Sequence, residues 1–235
     1  MRGHAVVGRD PYVVFVANSS DGQSDLFAVR GDGGPVFPLT YSSVSESGPA
    51  LSPDGGTVAF LRGHAAADPH PGVVWLLNLL TGAERELDLP RQSTPADRVG
   101  WSPDGRFLYV RAGRVTYRLR PPPASAAPQP VSGPEWFRAE SSFAVLLGDP
   151  PFARIVPCGA DLCVQAPGSD NPAPLAPGAH DAARWGTDSV AYLVGVGLVV
   201  RPVGPGRARM VEWSEVPGRP RELTYFPGRS VKSEE

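Results

Sequence analysis

The chain has 235 residues, 28 of them proline and 27 glycine, with 41% hydrophobic residues and a formal net charge of −2. This length suits one large all-β domain or two small ones, and the apolar content excludes a disordered chain. The near-neutral balance, a single lysine (Lys232) and arginines that form no cluster along the sequence give no electrostatic pull toward nucleic acid or an anionic membrane.

No apolar run reaches the ~20 residues that a bilayer span needs. Residues 1–8 lack the apolar centre of a secretory leader. The expectation is either a cytoplasmic protein or a trimmed form whose targeting segment is gone.

In chain order, residues 4–7, 12–17, 25–30 and 35–40 predict four strands, separated by turn clusters at 8–11, 18–22 and 31–34. Strands joined by such short turns form an antiparallel meander. The pattern then restarts. Residues 47–51 enter the turn Ser52-Pro53-Asp54-Gly55, 57–62 leave it, and strands follow at 73–79 and 84–89. A third copy enters at 98–101, turns at Ser102-Pro103-Asp104-Gly105, and continues through 107–111 and 114–120. In these turns Pro53 and Pro103 preset φ, Asp54 and Asp104 bond their own backbone, and Gly55 and Gly105 take the φ > 0 position.

The fourth and fifth copies are degenerate. Strands are expected at 143–147, 153–158, 161–166 and 173–176, then at 182–185, 190–194, 198–203 and 208–213. Turn aspartates fall at Asp10, Asp54, Asp104, Asp149 and Asp188, a spacing of roughly 40–50 residues that matches four-stranded propeller blades. Residues 219–226 echo the fourth-strand text at 37–41 and are expected to add a strand to the terminal blade and clasp the ring.

The unit Ser-Pro-Asp-Gly plus a β run, an apolar strand, a Gly-rich turn and then Leu39-Thr40 resembles the TolB-like, WD40-like (PD40) propeller repeats. Residues 98–110 match the start of that pattern closely, and 31–60 match a whole transition between blades. The resemblance implies a single all-β domain over residues 1–235, a β-propeller of four-stranded antiparallel blades at about 4–42, 47–92, 98–134, 141–177 and 181–228. Family members usually carry more than five blades. Either this ring closes with five, or a sixth blade is missing, degenerate or supplied by a partner.

The same resemblance implies a non-enzymatic binding or scaffold module in the periplasm or outside the cell, holding a protein, peptide or glycan. No cofactor, nucleic acid or membrane insertion is expected; the oligomeric state stays open. Two other readings remain. One is an enzyme with its active site in the axial funnel, a lyase or hydrolase that needs carboxylates or histidines converging from several blades. The other is a sensor or accessory propeller of a larger membrane kinase or peptidase.

Individual residues divide in the same way. The serines and aspartates of the Ser-Pro-Asp-Gly turns serve turn geometry, because a device repeated in successive blades is structural. Trp101 and Trp185 precede equivalent turns and are expected in inter-blade packing, or else around the channel mouth. His4, His64, His70 and His180 lack metal-ligand spacing. His64, Asp68 and His70 share the loop 63–72, and Pro121, Pro122 and Pro123 open the loop 121–134. Both loops are candidate recognition segments, or else tolerated insertions. No nucleophile elbow, zinc-binding helix or phosphate loop is present.

Cys158 and Cys163 flank a hairpin turn at 159–162. Directly opposed strand partners lie with Cα atoms about 4.5 Å apart and accommodate a disulfide. Such a bridge implies an oxidising compartment. Two buried thiols or a labile redox pair are the competing readings.

Overall fold

The computed structural model describes residues 10–18, 22–63, 72–90, 94–122, 127–147, 151–185, 189–203 and 205–228. The expected strand at 4–7 lies outside them. The first blade contains β1 (Tyr12–Asn18), β2 (Ser24–Arg30) and β3 (Phe37–Pro38). The second is β4 (Glu46–Leu51), β5 (Thr57–Arg62), β6 (Val73–Asn78) and β7 (Glu84–Glu86). The third is β8 (Arg98–Trp101), β9 (Leu108–Ala112), β10 (Val115–Leu119) and β11 (Gln129–Pro130).

A helix, α1 (Pro134–Ser142), precedes the fourth blade: β12 (Leu146–Leu147), β13 (Ala153–Cys158), β14 (Asp161–Gln165) and β15 (Ala173–Ala176). The fifth is β16 (Ala179–Trp185), β17 (Ser189–Val194), β18 (Gly197–Pro202) and β19 (Arg209–Val211). Within each blade the strands pair in antiparallel sequence order, and the five sheets form a β-propeller.

The last strand closes the ring. β20 (Arg221–Phe226) pairs antiparallel with β1, so the first sheet reads β20-β1-β2-β3. The clasp strand therefore joins the first blade and not the last one, as its sequence position had suggested. It takes the axial place of that blade, touching β16 on one side and β4 on the other, while β4 touches β8.

Stacking blades face to face explains why β1 is buried from Tyr12 to Ala17. Side chains alternate across a strand. Val13, Phe15 and Ala17 pack toward the fifth blade with Leu193 and Leu198. Tyr12, Val14 and Val16 pack toward the second blade with Val58 and Phe60. Equivalent apolar seams join blades two and three through Leu61, Val74, Leu108 and Val110, and blades four and five through Leu162, Leu175, Val190 and Tyr192.

The helix was not expected: the sequence marks no element between the loop at 121–134 and the strand at 143–147, yet α1 fills Pro134–Ser142. Pro134 opens α1, Glu135 sits in its first turn, and two amides close it: that of Phe143 donates to the Glu140 carbonyl at 3.2 Å and that of Ala144 to the Ser141 carbonyl at 3.3 Å. Only Ala139 of the helix is buried, so no apolar stripe marked it in the sequence. It abuts β8 at Gly100, where a Cβ would lie 2.7 Å from Ser142 Oγ and 2.8 Å from its carbonyl oxygen. The absence of a side chain at Gly100 is what admits the helix to that seam. The strand that follows is accordingly reduced to Leu146–Leu147.

Candidate axial funnel and inter-blade grooves

The two Ser-Pro-Asp-Gly turns share one hydrogen-bond pattern. Ser52 Oγ donates to Asp54 Oδ1 at 2.6 Å and accepts from the Thr57 amide at 2.9 Å. Asp54 Oδ1 also accepts from the Gly56 amide at 2.9 Å. In the next blade Ser102 Oγ donates to Asp104 Oδ1 at 2.6 Å and accepts from the Phe107 amide at 3.0 Å. Asp104 Oδ1 accepts from the Arg106 amide at 3.1 Å, and the Ser102 bond holds its carboxyl below the usual range. Gly55 and Gly105 sit at φ 72° and 69°. These serines and aspartates are occupied in shaping the turn. Asp149 and Asp188, expected at the equivalent places, lie outside the described residues.

At the axis, the inner strands surround a funnel of about 330 Å³. Its walls are small or apolar: Ala50, Leu51, Val99, Gly100, Ala144, Val145, Ala182, Ala183 and Leu223. The polar side chains there are few. Thr224 Oγ1 accepts from the Leu51 amide at 3.2 Å, and Ser142 Oγ donates to the Ala139 carbonyl at 2.7 Å. Arg184 is the charged side chain of the lining; no carboxylate, imidazole or thiol stands among the described lining residues. Such a surface can hold an extended segment by shape and by one positive charge. It offers no acid–base pair.

Two grooves open between blades. One, of about 570 Å³, lies between the two Ser-Pro-Asp-Gly turns and is lined by Trp101, Pro53, Asp104, Arg106, Pro121 and Pro122. The other, of about 400 Å³, lies between the fifth and first blades beside Trp185, Tyr225, Arg209 and Arg30. Trp101 Nε1 donates to the Ala50 carbonyl at 2.9 Å, tying blade three to blade two. Trp185 stacks on Tyr225 of β20 with ring centroids 4.0 Å apart, tying blade five to blade one. Both tryptophans thus make inter-blade contacts and also line grooves. Burial pushes the Tyr225 phenol up to about 12.

Of the candidate recognition loops, Pro121 and Pro122 face the first groove; Pro123, His64, Asp68 and His70 lie outside the described residues, as does His4. His180 Nδ1 lies 2.8 Å from Asp181 and its Nε2 3.2 Å from the Gly195 carbonyl. Among the described residues no three His, Cys, Asp or Glu side chains gather as metal ligands would.

Cys158 and Cys163 form a disulfide with Cα atoms 5.8 Å apart. The register corrects the expected geometry. Cys158 pairs with Asp161 and Cys163 with Val156, so the two cysteines are diagonal neighbours and not directly opposed. Diagonal partners on one sheet face are farther apart than opposed ones, which accounts for the longer separation.

Two groupings escaped the sequence reading. Glu46, with its side chain wholly buried, accepts from Arg62 Nε at 3.0 Å and Nη2 at 2.6 Å, and from Thr40 Oγ1. Arg62 Nη2 also reaches Glu84 at 2.7 Å, and its guanidinium lies 4.3 Å from the Trp75 ring centroid. Glu46 and Arg62 are cross-strand partners on β4 and β5, but a register shift in β4 hides this from the sequence. Arg106, Arg118 and Arg120 converge on Phe107. The two-residue spacing of Arg118 and Arg120, which puts both on one strand face, was the available signal.

No protein-family model matches the chain. The protein TolB homolog of Chlorobium luteolum is 34% identical over 112 residues, which are 46% of this chain and 24% of that relative. The chain thus matches about a quarter of that relative's length. The crystal structure of TolB from Acinetobacter baumannii covers 94% of this chain and 68% of its own, with 15% identity and a TM-score of 0.45. The turn motifs, the blade order and this sequence similarity agree: the chain is a five-bladed β-propeller, similar to a TolB homolog over nearly half its length.

Proposed function

We propose that the chain is a non-enzymatic, TolB-like module that recognises a protein or peptide partner outside the cytoplasm, in the periplasm or beyond it. The axial funnel carries this reading. Small and aliphatic side chains, the rings of Trp101, Phe143 and Tyr225, a few hydroxyls and one guanidinium surround a cavity of about 330 Å³. Binding sites of this type gain affinity from shape and a few placed polar groups. The Cys158–Cys163 disulfide supports the compartment, because such bridges persist in oxidising surroundings.

A photo-crosslinking amino acid at Ala144, in the funnel wall, tests the reading in living cells. One discrete protein adduct is expected there. The same label at Met210, 67% exposed on the outer strand β19, is expected to give none. Equal adducts at both positions, or none at Ala144, would overturn the funnel as the recognition site.

A further inference from the structure

We propose that the third blade carries a second recognition element, an arginine-lined rim that takes an acidic side chain or terminal carboxylate of a partner polypeptide. The proposal rests on the protein-recognition reading above and locates a contact away from the funnel. Arg106, Arg118 and Arg120 place their guanidinium carbons 5.9, 4.8 and 5.6 Å from the Phe107 ring centroid. Phe107 is half-buried, whereas Arg106 and Arg120 are exposed.

Three like charges held around one ring repel each other, and the counter-charges nearby are incomplete. Arg118 Nη1 donates to Glu135 at 2.7 Å and its Nη2 to Gln129 at 2.7 Å. Neither Arg106 nor Arg120 forms an ion pair among the described residues. Asp104 interacts electrostatically with the Arg106 side chain while its Oδ1 accepts from Ser102 and the Arg106 amide, so two carboxylates, Asp104 and Glu135, face three guanidinium groups. An incoming carboxylate would relieve the repulsion, and the planar guanidinium fork matches its geometry.

The neighbouring groove decides what kind of molecule brings that carboxylate. Arg106 lines the groove of about 570 Å³ together with Trp101, Pro53, Pro121 and Pro122, so rim and groove are continuous. The turn carboxylates Asp54 and Asp104 border the same groove. A uniform polyanion would meet those two acids, whereas a polypeptide can place one acid on the rim and apolar or neutral residues in the groove.

The test uses the whole protein, labelled with 15N, and the peptide acetyl-Pro-Pro-Glu-Glu-amide, with acetyl-Pro-Pro-Lys-Lys-amide as its counterpart. The acidic peptide is expected to shift the amide signals of 106–107 and the Trp101 indole, and the basic one to leave them in place. R106A/R120A, which spares the Arg118–Glu135 pair, should weaken the acidic peptide by about tenfold, the scale of two exposed charge contacts. R106K/R120K should recover part of that loss. No shifts with the acidic peptide, equal shifts with both peptides, or tighter binding of a heparin hexasaccharide at the same residues would overturn the proposal.

Crosslinking at Ala144 is a separate readout. Failure of the peptide with a funnel adduct intact removes the rim alone, and the reverse result removes the funnel alone.

Discussion

The Phe226 ring lies so close over Gly55 that a Cβ on the glycine would approach three ring carbons to 2.8 Å. This contact joins the final residue of β20 to the turn of the second blade. Tyr12 completes it: its ring is 5.3 Å from that of Phe226 and its hydroxyl donates to the Gly55 carbonyl. Burial raises the Tyr12 phenol well above its ordinary value, so the donor proton is retained across the physiological range.

The first prediction contrasts the two turn glycines. Both have φ near 70°, so alanine at either costs about 1 kcal/mol in backbone strain. A Cβ at Gly105 meets only Pro53 at ordinary contact distance, 3.5 Å. At Gly55 the ring clash adds roughly 1–3 kcal/mol. Denaturant titration should therefore rank Gly55→Ala clearly below Gly105→Ala in stability. Equal midpoints would mean that the Phe226 contact does not constrain the turn. Gly105→Val should itself cost about 1 kcal/mol or more.

The second prediction concerns the clasp. Phe226 is 3% exposed and packs in the seam between blades one and two. Phe226→Ala should cost about 3–5 kcal/mol, the range for removing a buried aromatic ring. Hydrogen exchange should show protection lost first in β20 and along its edge of β1. Uniform loss over all blades would show that the ring does not open at this seam.

The third prediction concerns the thiols. Denatured, unreduced protein should contain no titratable thiol, since the described fold pairs Cys158 with Cys163. Replacing both by serine should cost about 2 kcal/mol, because so short a loop restricts the unfolded chain only modestly. Two free thiols in protein isolated from its native compartment would argue against an oxidising location.

The fourth prediction is a pH dependence. Burial, the largest influence, pushes the Glu46 carboxyl from 4.5 up to about 7, and Asp25 adds to the rise, while the Thr40 and Arg62 bonds oppose it. The folded protein thus binds a proton that the unfolded chain has already released between those two values. This site's contribution to stability is full below about 4.5 and declines as pH rises to about 7. Glu46→Gln should flatten the curve in that window, measured as denaturant midpoint against pH. An unchanged slope would assign the dependence to other groups.

Much of the architecture was readable because local chemistry and the final contacts agree. β1, β2, β5 and β9 are short apolar runs between turn residues, and burial on both blade faces selects for such text. The Ser-Pro-Asp-Gly turns were legible in full, since every bond in them spans five residues or fewer. What stayed hidden depends on distance. The pairing of β20 with β1 joins chain ends about which the strand text is neutral. The helix α1 buries a single alanine and so leaves no periodic mark. The Glu46–Arg62 pair spans a strand irregularity, and Arg106 reaches Arg118 and Arg120 only after β9 and β10 have folded back on each other. The funnel lining was the least legible, since it draws on four strands, the end of α1 and the turns and loops beside them, from separate parts of the sequence.

Ring closure by β20 also sets an order on biosynthesis. A ribosome that has reached residue 200 carries a nascent chain whose β1 still shows an open hydrogen-bonding edge beside the axis. Until residue 221 emerges, that edge is a template for any foreign strand. Translation arrest before residue 221 should therefore yield species prone to aggregate or to bind chaperones, which a chain that includes β20 escapes by zipping that strand into the gap.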